Sequence, residues 1–122
     1  MSDPTTIRRL YGRRQAFALR NRAQRLVEEL LPEVAVPKEG PLDAVRLFGD
    51  SRPLELEIGF GKGEHLVAHA VARPGTGFIG CEPFLNGVTG LLGHIEDEGL
   101  SNVRVHDGDA LNVLERLPDA SL

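Results

Sequence analysis

The alternation of apolar and polar positions predicts three strand-helix pairs in the second half of the chain. Residues 77–82 form a short, nearly continuous apolar run, typical of a strand covered on both faces, and apolar residues alternate with polar ones at 54–58 and 102–107, as in strands. Apolar residues at helical spacing follow each of these segments, over residues 64–73, 83–99 and 111–117. The repeated order of strand and helix predicts an α/β fold with three parallel strands. Right-handed crossovers would place the second strand between the other two.

The first 53 residues have a different pattern. An apolar stripe from Ala16 to Leu30 predicts a helix over residues 15–31, and Pro32 is expected to end it. Prolines and glycines then interrupt the chain up to Pro53, which predicts a connecting segment without chemistry of its own. We therefore predict three regions, namely a basic arm and helix at 1–32, a linker at 33–53 and the beginning of the α/β domain at 54–122.

The charge distribution points to a polyanionic partner. The formal net charge of the 122 residues is −4, but residues 1–25 carry seven arginines and one acid, whereas residues 26–122 carry a net −10. A basic arm on an acidic body favours contact with RNA, and a solvated helix face is the alternative interpretation. The candidate RNA-binding residues are Arg8, Arg9, Arg13 and Arg14. The acids at 96–98 are expected to be solvated and without function.

Composition also excludes several classes of protein and site. The single cysteine, Cys81, has no partner for an internal disulfide, which favours a reducing compartment and therefore the cytoplasm. No apolar run is long enough to cross a membrane, so we expect no membrane association. His65 and His69 are four residues apart on a predicted helix, but no third ligand is near them in sequence. We therefore expect no metal site.

The turn between the first strand and its helix carries the strongest chemical signal. Gly59, Gly61 and Gly63 alternate there. Glycine lets a ligand approach the backbone closely, and the free N–H groups at a helix start point into the same space. The G-x-G-x-G spacing differs from the G-x-G-x-x-G of dinucleotide dehydrogenases. A tight turn that binds no ligand is the alternative interpretation.

Acidic residues near this turn indicate a ligand without phosphates. Glu57 precedes the turn, and its charge would repel a phosphate but tolerate a cation such as S-adenosylmethionine. Glu82 ends the second strand, where an acid typically accepts hydrogen bonds from ribose hydroxyls. Asp109 follows the third strand and is placed to contact the base, as is its neighbour Asp107. Capping of the last helix is the alternative role of Asp109.

Four stretches together resemble the bacterial tRNA (guanine-N7-)-methyltransferases of the TrmB type. They read L-E-I-G-F-G-K-G-E at 56–64, F-I-G-C-E-P-F-L-N-G-V at 78–88, E-D-E-G-L-S-N-V-R-V at 96–105 and D-G-D-A at 107–110. The glycine turn alone indicates only the wider methyltransferase superfamily, whereas the second and third stretches are more specific. The R-R-Q at 13–15 also resembles the N-terminal segment of this family.

The resemblance implies a Rossmann-like class I S-adenosylmethionine-dependent methyltransferase fold, of which this chain would be the first half, with an N-terminal helical arm. In that family, acids at the positions of Glu57, Glu82 and Asp109 contact the cofactor, and Ala110 belongs to the same motif. The implied reaction methylates N7 of guanine 46 in the variable loop of tRNA, and the full-length protein is expected to be a monomer. The catalytic aspartate of the family is expected beyond Leu122, so no catalytic residue is assigned in this chain.

Other functions fit parts of the sequence. An NAD-binding dehydrogenase domain shares the strand-turn-helix order, but the glycine spacing and the absence of hydride-handling residues disfavour it. A non-catalytic RNA-binding relative would keep the arm without the chemistry. A methyltransferase for another acceptor is a further alternative. Because the first strand is apolar like a central strand but is predicted at an edge, we expect these residues to come from a longer protein.

Overall fold

A three-stranded parallel sheet forms the centre of the protein. The computed structural model describes residues 20–119, 121 and 122. Strands β1 (Leu54–Ile58), β2 (Gly77–Cys81) and β3 (Val103–His106) lie in the order β1-β2-β3. Both strand pairs are parallel, and the central Ile79 is paired with Leu56 on one side and Arg104 on the other. The predicted α/β fold with its central second strand is confirmed.

Helices connect and cover the strands as predicted. In the described residues they are α1 at 20–34, α2 at Ala44–Phe48, α3 at Glu64–Ala72, α4 at Leu85–Glu98 and α5 at Ala110–Leu114. Helix α3 joins β1 to β2, α4 joins β2 to β3, and α5 follows β3. None of the helices in this part of the chain combines the length and the apolar character that crossing a membrane requires.

The two faces of β2 belong to separate hydrophobic clusters. Phe78 packs in a cluster with buried side chains of α1, α3 and α4. The next residue, Ile79, points to the opposite face and packs with buried side chains of α2 and α5. All five residues of β2 are buried. This burial on both faces explains why the strand is a continuous apolar run rather than an alternating one.

The prediction that Pro32 ends the first helix is wrong. Helix α1 continues through Pro32 in an α-helical turn at Leu31–Val34, and the turn before it, Leu26–Leu30, is π-helical. Proline has no N–H group to donate, and its ring clashes with the carbonyl four residues earlier in a regular α-helix. The wider π-helical turn accommodates that clash without ending the helix.

Residues in the predicted linker pack directly against the sheet. Ala35 forms a parallel bridge with Val105, and the N–H of Val36 donates to the carbonyl of Val105 at 2.9 Å. Leu42 and Leu47 are buried in the cluster with α2 and α5. The segment after α1 therefore borders the β3 side of the sheet, while β1 has β2 as its only strand partner among the described residues. The division into arm, linker and domain stays a prediction.

Candidate functional site

The carboxyl ends of the three strands bring the sequence-predicted segments to one edge of the sheet. The N–H of Gly59, directly after β1, donates to the carbonyl of Cys81 at 2.8 Å. The N–H of Glu82, directly after β2, donates to the carbonyl of His106 at 3.0 Å. These bonds extend the strand pairing by one residue on each side. The glycine turn, Glu82 and the turn after β3 therefore lie side by side.

The glycine turn has a backbone that side chains would disturb. Gly59, Gly61 and Gly63 have φ values of 65°, 63° and 86°, in the left-handed region that glycine adopts readily. Gly63 is the N-cap of α3, and a Cβ at this position would also lie 2.7 Å from a methyl group of Leu91. Conformation and space thus both require glycine at position 63.

Helix α4 approaches the same turn through glycines of its own. A Cβ on Gly87 would overlap the carbonyl oxygen of Gly61 and lie 3.1 Å from Oε1 of Glu82. One helical turn later, a Cβ on Gly90 would lie 3.2 Å from the Cα of Lys62. These roles of Gly87 and Gly90 were not predicted from the sequence. The signal was present, because glycines three residues apart inside a helix cost stability unless close packing requires them.

Glu82 is a largely buried residue whose carboxylate has no partner among the described residues and keeps access to solvent. It is 8% exposed, and no hydrogen bond or ion pair reaches its side chain from the described residues. No side-chain oxygen or nitrogen of the described residues is both fully buried and without a partner, so the carboxylate oxygens of Glu82 reach the surface, where a ligand can contact them. Its backbone N–H is fixed to β3, so the carboxylate is held at the carboxyl edge of the sheet with its acceptor capacity unused by the protein.

Glu57 contacts His65, the first of a row of side chains that follows α3. His65 Nδ1 lies 3.5 Å from Oε1 of Glu57, and the Nε2 atoms of His65 and His69 are 3.2 Å apart. Arg73 Nη2 lies 3.4 Å from Nδ1 of His69 and donates to Glu55 at 2.8 Å. In the described part of the chain, no three His, Cys, Asp or Glu side chains are grouped so that they could hold a metal ion.

Asp109 caps the last helix, the role that the sequence analysis kept as an alternative. Its side chain accepts a hydrogen bond from the N–H of Leu111 at 2.9 Å, and Ala110 behind it is buried. Asp109 also affects the pKa of Cys81 in β2. Burial of the Cys81 thiol, followed by the negative charge of Asp109, raises this pKa to about 11. Asp107 is exposed. Capping and ligand contact are compatible, since a carboxylate has two oxygens.

Exposed apolar side chains adjoin the acids, and sequence reasoning did not identify them. Phe84, two residues after Glu82, is 73% exposed, and Leu111, two residues after Asp109, is 57% exposed. Large apolar groups beside polar ones are typical of sites that bind a small organic ligand. The edge of the sheet thus offers carboxylate acceptors, open glycine backbone and apolar surface together.

The arginines of residues 1–25 include candidate RNA-binding residues and residues that form ion pairs on α1. The candidate RNA-binding residues Arg8, Arg9, Arg13 and Arg14 lie outside the described residues. On α1, Arg22 donates to Asp97 at 2.7 Å, and Arg25 donates to Glu96 at 2.8 Å. The acids at the end of α4 are exposed, as expected, but Glu96 and Asp97 also form ion pairs that join α4 to α1.

Comparison with known proteins identifies similar sequences. A family model described as "Putative methyltransferase" matches residues 51–122. The tRNA (guanine-N(7)-)-methyltransferase of Zymomonas mobilis is 59% identical over 120 residues, and that of Erythrobacter litoralis is 56% identical over 120 residues. Each alignment covers 98% of this chain and 52% of the relative. The protein of the same name from Caulobacter vibrioides is 46% identical, with 93% and 50% covered. The chain therefore spans about half the length of these curated relatives.

Proposed function

This chain belongs to the methyltransferase family whose model matches residues 51–122, and we propose that it supplies the S-adenosylmethionine-binding part of a tRNA (guanine-N7-)-methyltransferase. The observation that carries the proposal is the unpartnered, solvent-accessible carboxylate of the largely buried Glu82 beside the glycine turn. A carboxylate in that position has acceptors for two hydroxyl groups, which is what a ribose diol offers.

The other residues have complementary roles in this proposal. Gly59, Gly61 and Gly63 leave the backbone open, so that a ligand can reach the N–H groups at the start of α3. Glu57 attracts the cationic amino acid portion of the cofactor, and a negative charge there disfavours phosphate-bearing dinucleotides. Asp109 and Ala110 border the base, and the exposed ring of Phe84 provides apolar surface for it.

The proposed reaction requires the two reactants to be positioned correctly and does not require the removal of a proton. N7 of guanine has a lone pair and no proton, so the acceptor needs no general base. When bound, S-adenosylmethionine supplies a methyl group activated by the adjacent sulfonium. The acids of this chain favour positive charge at the edge of the sheet, where the methylated ring becomes cationic. Holding the two reactants in line is the remaining requirement.

tRNA as the acceptor rests on the names of the relatives and on the basic arm. The relatives from Zymomonas mobilis and Erythrobacter litoralis are tRNA (guanine-N(7)-)-methyltransferases. Seven arginines in residues 1–25 suit the sequence-independent contacts that phosphates provide. We propose guanine 46 as the target nucleotide and the cytoplasm as the location on the same basis.

Calorimetric titration of S-adenosylhomocysteine tests the proposal. The wild-type chain should bind it saturably, and Glu82→Gln should weaken binding at least about tenfold, since a hydrogen bond to a charged group contributes about 1.5–3 kcal/mol. Glu98→Gln is the matched control, because Glu98 is exposed at the end of α4. A chain that is folded by circular dichroism and does not bind overturns the proposal. If it is unfolded, the same titration is made on a longer protein that contains it.

Two further ligands separate this proposal from its alternatives. Binding of NADH without binding of S-adenosylhomocysteine would favour the dehydrogenase domain. Retention of tRNA without binding of either nucleotide would favour a non-catalytic RNA-binding protein. Saturable binding of S-adenosylhomocysteine alone, in a protein that methylates a substrate other than tRNA, would favour a methyltransferase for another acceptor.

A further inference from the structure

A groove of about 490 Å³ lies between α1 and α4, beside the glycine turn. Its lining includes polar and basic side chains from three separate segments, namely Arg20, Lys62, Asn86, Thr89 and His94. Most of the exposed lining is apolar, and Ala23 and Leu26 of α1 contribute to it. Of the polar and basic side chains, α1 contributes Arg20, the glycine turn contributes Lys62, and α4 contributes Asn86, Thr89 and His94. The groove is distinct from the carboxyl edge where Glu82 lies, but it shares the glycine turn with that edge.

The charges around the groove favour an anionic occupant. Lys62 is exposed, and neither it nor His94 forms a hydrogen bond or ion pair within the described part of the chain. The acid in the lining, Asp97, is already bonded to Arg22 at 2.7 Å. Residues 26–122 carry a net −10, so an exposed lysine without a partner, beside the arginines of α1, stands out from the rest of this surface.

Close packing fixes the base of Lys62. The Cα and carbonyl oxygen of Lys62 lie close enough to Gly90 that a Cβ there would be 3.2 Å from each. The backbone at Lys62 thus rests on α4, and its neighbours Gly61 and Gly63 belong to the proposed cofactor turn. An anion bound by Lys62 would therefore be held at a fixed position relative to that turn.

We propose that this groove binds the sugar-phosphate backbone of tRNA, with Lys62 contacting a phosphate. The inference rests on the proposed function, because it identifies where the nucleic acid lies next to the cofactor-binding part. Lysine, arginine, asparagine and threonine side chains are among the usual donors to phosphate oxygens. Arg20 lines the groove and directly follows the arginine-rich residues 1–19 in sequence. RNA held by the arm can therefore continue into the groove.

The two lysines of the chain allow a matched test. Lys62→Ala removes the groove cation, whereas Lys38→Ala removes the same charge from an exposed position outside the groove lining. Binding of unmodified tRNA is measured by fluorescence anisotropy at several salt concentrations. Loss of one phosphate contact should reduce the slope of log affinity against log salt by about 1 for Lys62→Ala. Raising salt from about 50 to about 200 mM should then weaken the variant about fourfold less than the wild type. Lys38→Ala should keep the wild-type slope, and Lys62→Arg should restore it.

The outcomes separate this inference from the proposed function. Either of two results overturns the groove assignment. One is a salt slope for Lys62→Ala that equals that of the wild type, and the other is an equal lowering of the salt slope by Lys38→Ala and Lys62→Ala. The same conclusion follows if the chain binds S-adenosylhomocysteine but retains no tRNA at low salt. Conversely, Lys62-dependent tRNA binding by a folded chain that does not bind S-adenosylhomocysteine supports the groove and overturns the cofactor proposal.

Discussion

Arg25 and Glu96 form a two-point ion pair between α1 and α4. Arg25 Nη1 donates to Oε2 of Glu96 and Arg25 Nη2 donates to Oε1, each at 2.8 Å. Arg22 also contacts Glu96, at 3.3 Å. The hydrogen bonds and charge of Arg25, followed by those of Arg22, lower the pKa of Glu96 to about 2. The arginines of residues 1–25 suggested a polyanionic partner. Two of them, Arg22 and Arg25, thus form ion pairs with acids of this same chain.

Glu96→Gln should lower the stability of the protein above pH 4.5 and lose this effect in acid. The pKa of Glu96 is lower in the folded state, about 2, than its ordinary value of 4.5. The ion pair therefore stabilises the fold fully above about pH 4.5, and its contribution disappears as the pH falls towards 2. Urea unfolding of the wild type and Glu96→Gln, from about pH 2 to about pH 7, measures the difference in their free energies of unfolding.

Glu98→Gln is the control for this experiment, because Glu98 is exposed on the same helix and makes no hydrogen bond or ion pair with the described residues. Its stability difference from the wild type should be small at every pH. A difference for Glu96→Gln that stays constant from neutral pH down to the acid end would contradict the assigned role of the ion pair.

Gly87→Ala and Gly93→Ala should have opposite effects although both lie in α4. A methyl group at Gly87 would overlap the carbonyl oxygen of Gly61, a backbone atom that cannot rotate away. We expect about 1–3 kcal/mol of destabilisation and weaker binding of S-adenosylhomocysteine. At Gly93 the nearest atom is 3.8 Å away, so alanine should stabilise the helix by about 1 kcal/mol. Thermal unfolding and calorimetry measure both, and equal destabilisation by the two variants would contradict the close packing.

The elements next to the glycine turn were predictable because their periodicity is local. Buried strands such as β2 are continuous apolar runs, and the inward positions of α4 from Val88 to Ile95 recur at helical spacing. The acids at strand ends followed from the parallel order, since the carboxyl ends of parallel strands meet at one edge. Their approach to one another could therefore be inferred without coordinates, and their contacts with a ligand stay a proposal.

The errors arose where tertiary contacts decide local structure. Nothing near Pro32 in sequence signals that a π-helical turn lets α1 continue. The ion pairs of Glu96 join residues about 70 positions apart, so no local pattern reveals them. Val71, one of the apolar residues at helical spacing within 64–73, is 51% exposed, because periodicity does not define how wide the buried face of α3 is. Long-range packing is the information that the sequence pattern lacks.

Asn102→Ala should destabilise the protein by about 1–3 kcal/mol, the range expected when buried polar groups lose their partners. Asn102 is buried, and its Nδ2 lies 3.0–3.1 Å from the carbonyl oxygens of Ala70, Arg73 and Thr76, which share its two N–H donors. These bonds tie the start of β3 to the end of α3 and the turn after it. Urea unfolding measures the change, and Asn21→Ala is the control because Asn21 is exposed. Equal, small changes in the two variants would show that these bonds contribute little.

Cys81 should resist thiol reagents until the protein unfolds. Burial, followed by the charge of Asp109, raises the pKa of its thiol from 9.0 to about 11. At about pH 8 the thiolate fraction is then about 100-fold smaller than in an ordinary cysteine, and the thiolate is the reactive form. Reaction with a chromogenic disulfide should be at least that much slower in the native chain than in urea, apart from any further slowing by burial. Asp109→Asn should shift the pH dependence of the native reaction towards lower pH, since it removes a negative charge that opposes the thiolate. A native rate equal to the unfolded rate would mean that β2 opens readily at the carboxyl edge, which contradicts a fixed position for Glu82.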